Sequence, residues 1–432
     1  MTINLNCSSG HYANFRKELG SEKKALKSKA SIRSSARLVS PLSAIYIVAV
    51  VAFFFLQFKS DWSLVRIAGL KGRDYGDSYQ VISASECDLR GVSQLYDFKP
   101  ESPECYYTYG SLLLRVLQIL NITTQQLLLI SLFSISITLV FCFAQVLNLD
   151  NWKKGLYLFG VLTSPGVWLL FERGNFDWLI FVLVVIAGYL GRHKWYLASS
   201  VVITISALFK FYTFPLLVIP FLFATKRSRL FIGLVGLIAL PVCVIEATRA
   251  GVGGLVYTLT ATYGINFIGL TLNALGQVLN LNYAISPTVS LVLGLIISAM
   301  FLLTNKFRLL RYSELTNGIQ KNVFEDPIFL LFSSTYIFSY AAGSSYNYRL
   351  IFLVGLILRV VGLAKSTKFR KRWILTSFLA LWLTYFYAGF DNYLTDALRL
   401  TGNLCQYVIF LALAKIVLVT LGKKWRWREK CQ

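Results

Sequence analysis

The chain has 432 residues, of which 56% are hydrophobic and only 15% are charged, and its formal net charge is +23. A soluble domain averages about 25% charged residues, so this composition excludes an ordinary soluble protein. Repeated apolar runs of roughly 17–22 residues predict instead an all-α, polytopic integral membrane protein.

The apolar runs predict twelve membrane spans, an even number that places both termini on one side. They divide the chain into a basic tail at 1–40 with a composition typical of disorder, a transmembrane domain at 41–421 and a second basic tail at 422–432. Two long loops, 59–110 and 248–286, lie on the side opposite the termini. The predicted spans are 41–58, 125–147, 154–171, 176–191, 195–209, 211–225, 229–247, 287–304, 327–343, 348–363, 373–390 and 402–421.

The basic residues are distributed unevenly across this topology. It places 29 of the 43 Lys and Arg on the side of the termini and 12 on the other side. Loops rich in Lys and Arg remain in the cytoplasm, so the termini are predicted to be cytoplasmic in an inner or plasma membrane. The positive charge therefore indicates topology and contact with anionic membrane lipids, and no nucleic-acid partner is predicted.

The first outside loop contains an acidic segment, "GRDYGDSYQVISASECDLRG" at 72–91. Asp74 and Asp77 are three residues apart, so on a helix they share a face. A carboxylate beside the membrane is a suitable general base for a hydroxyl group. Asp77 also precedes a predicted helix start, where it would be an N-cap, whereas Asp74 has no such local role. Asp74 is therefore the first choice as base, and Asp77 is the alternative.

The same loop contains two cysteines, Cys87 and Cys105. On the outside of a membrane such a pair predicts a disulfide. The chain has two histidines, His11 and His193, and both are predicted to be cytoplasmic. Because no spacing typical of metal ligands is present, no metal or other cofactor is predicted.

Charged side chains recur at the outside ends of later spans: Glu172, Arg173, Asp177, Lys210 and Arg349. Three of them are cations, and together they would form a pocket for phosphate at the level of the lipid headgroups. The alternative is that each is an interfacial anchor or part of an internal salt bridge.

Tyr106, Tyr107 and Tyr109 follow the second cysteine. They would stack on an acceptor sugar or form an aromatic belt at the membrane interface, and the belt is the favoured interpretation.

Several short motifs occur in a fixed order on the outside face. This organisation resembles the GT-C superfamily of polytopic glycosyltransferases and, more narrowly, glycosyltransferase family 87, the polyprenol-phosphate-mannose-dependent mannosyltransferase-like proteins. Tyr79 is displaced by one residue from the family's usual spacing, which keeps Asp77 in contention as the base. The matching pieces are Asp74, Tyr75 and Tyr79, "ERGNFD" at 172–177, "LFKFYTFPLLVIP" at 208–220, "YGINFIGLTLNALG" at 263–276 and "SYNYRLIFLV" at 345–354.

The resemblance implies an inverting membrane glycosyltransferase. It would move a sugar, with mannose among the candidates, from a polyprenyl-phosphate donor to an extracytoplasmic glycan or glycolipid acceptor. By the resemblance, the segments containing Glu172 and Lys210 line the donor site, Arg173 and Lys210 hold the lipid phosphate, and Asn175 binds a sugar hydroxyl. Tyr346 or Arg349 would form the far wall.

Two other functional classes fit a polytopic chain. A polysaccharide or O-antigen polymerase also acts outside on lipid-linked sugars, but it usually has its main loops late in the chain. A transporter would have ionisable residues within its spans and internal repeats, which this sequence does not display clearly.

Overall fold

The structure is a computed structural model. It describes residues 40–59, 76–92, 105, 107, 109–144, 152–249, 264–265, 268–269, 271–273, 285–304, 326–341, 347–363, 367–383 and 393–429. The basic tail at 1–39, Asp74 and Tyr346 lie outside these ranges.

Every regular element within the described ranges is a helix, which confirms the all-α prediction for this part of the chain. Three 3₁₀ helices accompany the α-helices, at Thr124–Gln126, Phe211–Leu217 and Asn347–Leu350. The α-helices are α1 Pro41–Lys59, α2 Gly76–Leu89, α3 Ser111–Ile119, α4 Leu127–Ala144, α5 Trp152–Leu162, α6 Pro165–Arg173, α7 Asp177–Arg192, α8 Tyr196–Phe209, α9 Val218–Phe223, α10 Lys226–Arg249, α11 Pro287–Leu303, α12 Pro327–Ala341, α13 Ile351–Leu363, α14 Thr367–Trp382 and α15 Tyr393–Glu429.

The helix ends follow local sequence signals. Pro165 and Pro287 occupy the first turn of α6 and α11, where the missing N–H costs no helical hydrogen bond. Ser286 caps α11 by accepting a hydrogen bond from the Val289 N–H at 3.4 Å. Gly174 ends α6 in the left-handed conformation, with φ of 60°, which a residue without Cβ adopts at no steric cost.

Among the described residues, three helical stretches are long and apolar enough to cross a membrane: Thr124–Ala144, Lys226–Glu246 and Ala397–Trp425. A fourth span is formed if α5 and α6, which meet at a bend of 49°, are counted together. Six further apolar helical stretches in the described part of the chain have 10–17 residues. These helices support the prediction of a membrane protein, whereas the number of twelve spans and the orientation of the termini stay predictions.

The burial of these helices distinguishes peripheral from central positions. Only 17% of the apolar window in Lys226–Glu246 is buried inside the protein, against 61% in Ala397–Trp425. Leu230, Leu234 and Leu237 on α10 are exposed, an apolar surface that suits contact with lipid. The final helix α15 is central, and α12 and α14 pack on it.

The packing of the remaining helices brings several chain turns together. α7 packs against α8 and α12, and α6 contacts both α2 and the 3₁₀ helix at Asn347–Leu350. Gly110, just before α3, donates its N–H to the Phe209 carbonyl oxygen at 3.2 Å. A Cβ at Gly110 would overlap the Leu208 carbonyl oxygen, so only glycine allows this approach. The close contact places Tyr109 beside Lys210, the residue that follows α8.

Candidate functional site

A polar cluster lies where the first turn of α2, the turn between α6 and α7, the end of α8 and two 3₁₀ helices meet. We call it the polar cluster throughout. Its members come from widely separated parts of the chain and are largely buried. They are Asp77, Tyr109, Arg173, Asn175, Asp177, Lys210, Tyr212 and Arg349.

Asp77 and Arg173 form the first ion pair of the cluster. The Arg173 Nε and Nη2 groups donate to Asp77 Oδ1 at 3.0 and 2.6 Å. Asp77 is the second residue of α2, and its carboxylate contacts Arg173 at the end of α6. The predicted N-cap role is therefore wrong: Asp77 lies inside the helix, which begins two residues earlier than expected, and its carboxylate binds residues almost a hundred positions away.

Asn175 links this ion pair to the rest of the cluster. Its Nδ2 donates to Asp77 Oδ2 at 2.7 Å and to the Tyr109 hydroxyl oxygen at 3.0 Å. Its Oδ1 accepts from the Asp177 backbone N–H at 2.9 Å and from Lys210 Nζ at 3.3 Å. Both partners of Oδ1 are obligate donors, and the Asp77 carboxylate is an acceptor, so the orientation of the amide is fixed.

The filled hydrogen-bonding positions of Asn175 change its predicted role. The side chain is only 1% exposed and bridges protein groups on both sides of its amide. A sugar hydroxyl would have to replace one of these partners. The geometry therefore favours an internal bridging role for Asn175 over direct contact with a sugar.

Asp177 is the centre of the second ion pair and was not among the predicted binding residues. Its side chain is fully buried, and Oδ1 accepts from Lys210 Nζ and from the Tyr212 hydroxyl, both at 2.7 Å. Arg349 Nε lies 3.7 Å from Oδ2. The sequence signal was present, because this carboxylate begins a span on the same face as two cations, but the sequence does not show which charges pair.

Lys210 and Arg349 are enclosed by aromatic rings as well as by Asp177. Lys210 Nζ lies 4.3 Å from the centre of the Tyr109 ring, and Arg349 Cζ lies 4.8 Å from the centre of the Tyr212 ring. Such contacts stabilise a cation that has lost water. Lys210 lies between α8 and a 3₁₀ helix, outside the candidate spans. Burial lowers the pKa of its ammonium group, although the Asp177 carboxylate acts in the opposite direction.

The exposure of the three cations separates them into two kinds. The Arg173 side chain is 31% exposed, whereas those of Lys210 and Arg349 are 10% and 16% exposed. The sequence predicted one cationic pocket formed by Arg173, Lys210 and Arg349. The structure instead brings these residues together as two ion pairs joined by Asn175, with Arg173 as the most exposed of the three cations.

The other acidic residues of the first loop have separate positions. Glu86 Oε1 accepts from the Thr124 backbone N–H at 2.8 Å, and Asp88 Oδ2 accepts from Gln118 at 2.7 Å. Both contacts hold α2 against its neighbours. Glu172 lies in the last turn of α6, next to Arg173 in the chain. The first-choice base Asp74 and the proposed wall residue Tyr346 lie outside the described residues.

A disulfide connects two segments of the first loop that each supply a residue to the polar cluster. Cys87 in α2 and Cys105 form a disulfide, and Tyr109 follows four residues later. Tyr107 and Tyr109 are buried, with exposures of 1% and 7%, and the Tyr107 hydroxyl donates to the Gly110 carbonyl oxygen at 2.9 Å. These two tyrosines do not form the interfacial belt that the sequence favoured, because their rings pack inside the protein. Tyr106 lies outside the described residues.

Among the described residues, no group of three or more His, Cys, Asp or Glu side chains is arranged to hold a metal ion. The cluster has two carboxylates, three cations, an amide and two phenols, a set suited to binding an anion or transferring a proton. Comparisons with protein-family models, curated proteins and solved structures find no match to this chain.

Proposed function

We propose that this protein is a membrane glycosyltransferase that moves a sugar from a polyprenyl-phosphate donor to a glycan or glycolipid acceptor. The single observation that carries the proposal is the polar cluster itself. Ionisable residues from four separate turns of an apolar, helical chain meet at one place. Buried charges are costly, so such a concentration in a membrane protein is a default indication of function.

Arg173 is the residue proposed to meet the donor phosphate. It is the most exposed cation of the cluster, and Asp77 fixes one edge of its guanidinium group. Arg binds phosphate through a planar array of N–H donors, which favours a defined orientation. Lys210 and Arg349 lie deeper, and their positive charge would add to the local field without direct contact.

Asp74 is the proposed general base. A Cβ built on Gly76 lies 3.6 Å from Arg173 Cζ, so the start of α2 faces the guanidinium group. Asp74 precedes Gly76 by two residues in the chain, and this short separation supports the choice of Asp74 as base.

The proposed reaction is a single displacement at the anomeric carbon. Asp74 takes the proton of the acceptor hydroxyl, whose oxygen forms the new bond to carbon. The bond from carbon to the phosphate oxygen breaks, and its electron pair leaves with the polyprenyl phosphate. Attack and departure occur on opposite faces, so the configuration inverts. Negative charge grows on the phosphate as the bond breaks, and Arg173 is placed to neutralise it.

The test is sugar transfer by purified protein in lipid nanodiscs with a panel of polyprenyl-phosphate sugars and glycan acceptors. Arg173→Ala is expected to reduce transfer by about 10²-fold or more, because one fixed donor to a developing anion is worth that much. Arg115→Ala is the matched control: this arginine also pairs with an aspartate, Asp88, but its side chain is 67% exposed. Wild-type protein that transfers no sugar from any donor would remove the proposal.

We further propose twelve spans with both termini in the cytoplasm, on the strength of the uneven distribution of basic residues. Thiols introduced at Ser102 and Ser344 should react with an impermeant reagent added outside, whereas thiols at Ser228 and Ser366 should not. Reaction at Ser228 from outside would contradict this topology.

A transporter is the second candidate, because one feature of the fold favours it. The span formed by α5 and α6 is broken by a 49° bend, and its second half ends at Arg173. Broken helices that end at a charged site are typical of secondary transporters. Uptake of a labelled anion into proteoliposomes, in the absence of sugar transfer, would favour this candidate.

A further inference from the structure

We propose that Asp77 is a positioning residue that holds Arg173 through its pairing with Asn175, and that it is not the catalytic base. The inference rests on the proposed function for what Arg173 binds. It concerns the roles of Asp77 and Asn175, which the sequence assigned to proton transfer and to a sugar hydroxyl.

Hydrogen bonds occupy both oxygens of the Asp77 carboxylate. Oδ1 receives two N–H groups of Arg173, at 3.0 and 2.6 Å, and Oδ2 receives the Asn175 amide at 2.7 Å. A base for this reaction must instead release such partners and approach the acceptor hydroxyl.

The amide of Asn175 connects Asp77 to the second ion pair, which is formed by Asp177 and Lys210. Its Oδ1 is fixed by the Asp177 N–H and by Lys210, which leaves Nδ2 facing Asp77 Oδ2. The order of contacts therefore runs from Lys210 through Asn175 to Asp77 and ends at Arg173. Each contact has a definite donor and a definite acceptor.

This order permits an exchange of side chains that preserves every contact. In the double variant Asp77→Asn/Asn175→Asp, the amide oxygen at position 77 accepts from Arg173, and its NH₂ group donates to the new carboxylate. That carboxylate also accepts from the Asp177 N–H, from Lys210 and from the Tyr109 hydroxyl. Net charge and side-chain volume are unchanged. The exchange moves the carboxylate away from position 77 but keeps a hydrogen-bond acceptor for Arg173 there. It therefore distinguishes a residue that positions Arg173 from a residue that accepts the proton.

The experiment measures three quantities for the wild type, both single variants and the double variant: binding of a polyprenyl monophosphate, sugar transfer and apparent Tm. Each single variant should weaken binding by about tenfold or more, because a charge-assisted hydrogen bond is lost. The double variant should return binding and transfer to within about threefold of wild type, with a Tm above that of either single variant.

A matched control is available on the same helix. Asp88 accepts from the Gln118 amide at 2.7 Å, so Asp88→Asn/Gln118→Glu exchanges a carboxylate and an amide outside the polar cluster. This control should leave binding and transfer unchanged. Its Tm shows how much the exchange of a carboxylate and an amide destabilises α2 when neither residue belongs to the polar cluster.

Two outcomes would overturn the inference. A double variant that binds the lipid phosphate but transfers no sugar would make Asp77 the base. A double variant that recovers neither binding nor Tm would show that the two side chains do not act as a pair. If the wild type transfers no sugar at all, the proposed function fails, but binding and Tm still decide whether Asp77 and Asn175 position Arg173.

Discussion

Asp177→Asn is expected to destabilise this protein more than any other substitution that preserves side-chain shape in the polar cluster. The carboxylate is fully buried and lies 2.7 Å from Lys210 Nζ and 3.7 Å from Arg349 Nε. An asparagine oxygen still accepts from the Tyr212 hydroxyl, so the change removes the charge and little else. Two deeply placed cations then lose their closest carboxylate.

The magnitude follows from the burial of the pair. Breaking a buried ion pair by removing one partner costs about 3–5 kcal/mol, because the other charge stays buried. The lower end is expected here, since burial already lowers the pKa of Lys210 and the ammonium group can release its proton. With an unfolding entropy of about 2.1 cal/mol/K per residue, a loss of about 3 kcal/mol lowers the Tm of a chain of this length by about 3 °C.

The assay is apparent Tm in nanodiscs at a fixed heating rate, because unfolding of a protein of this size is often irreversible. Asp88→Asn is the matched control. Its partner Arg115 is 67% exposed, and such surface pairs contribute about 0–1 kcal/mol. The reasoning is refuted if Asp177→Asn is as stable as Asp88→Asn. Adding Lys210→Met to Asp177→Asn should cost less than the sum of the single changes, since the double variant has no unpaired ammonium group at this position.

The same variant should respond to pH in a defined direction. A lysine whose pKa is lowered in the folded state binds fewer protons there than in the unfolded chain, so stability rises with pH between the folded and the unfolded pKa. The negative charge of Asp177 raises the pKa of Lys210. Its loss therefore widens the interval between the folded and the unfolded pKa of Lys210. The Tm deficit of Asp177→Asn should therefore narrow as the pH is raised toward the ordinary lysine pKa of about 10.4. A deficit that grows over this range would contradict the assignment.

Three further substitutions test other parts of the structure. Gly110→Ala should destabilise the protein by about 1–3 kcal/mol, because the added Cβ overlaps a carbonyl oxygen at the end of α8, whereas Gly422→Ala has open space and serves as its control. Replacing Cys87 and Cys105 by serine should cost about 3 kcal/mol for a loop of 18 residues, and a reductant should lower the Tm of the wild type but not of this variant. Asp74→Asn should reduce sugar transfer by about 10²–10⁴-fold at an unchanged Tm, and full activity would remove this residue as the base.

The sequence predicted the helical class, and it grouped Arg173, Lys210 and Arg349 on one face, because both inferences depend on simple patterns. Apolar runs predict helices in lipid, and the bias of Lys and Arg predicts which turns share a face. Once the turns containing Arg173, Lys210 and Arg349 are placed on one side, a polar cluster is a reasonable expectation. The structure brings these three residues together around two carboxylates.

The pairing within the site was beyond sequence reasoning. Asp77 and Arg173 are 96 residues apart, and nothing local shows that this carboxylate belongs to that arginine. The roles of Tyr107 and Tyr109 were missed for a similar reason. Tyrosines near a span are usually interfacial, but here the contact of Gly110 with the end of α8 draws them into the interior. Such a contact depends on the fold around one glycine.

The position of Asp177 in the chain has a consequence for synthesis. A buried carboxylate without a partner is unfavourable. Because a chain is synthesised from its N-terminus, Asp177 is made long before Arg349. Tyr212 follows Asp177 by only 35 residues, and Lys210 precedes Tyr212 by two residues in the same turn. The carboxylate is therefore supplied with an ammonium group and a hydroxyl as soon as the next helix is complete. Arg349 then joins the pair of Asp177 and Lys210, which already has no net charge. A nascent chain that ends after α10 therefore contains all the residues of both ion pairs and Asn175.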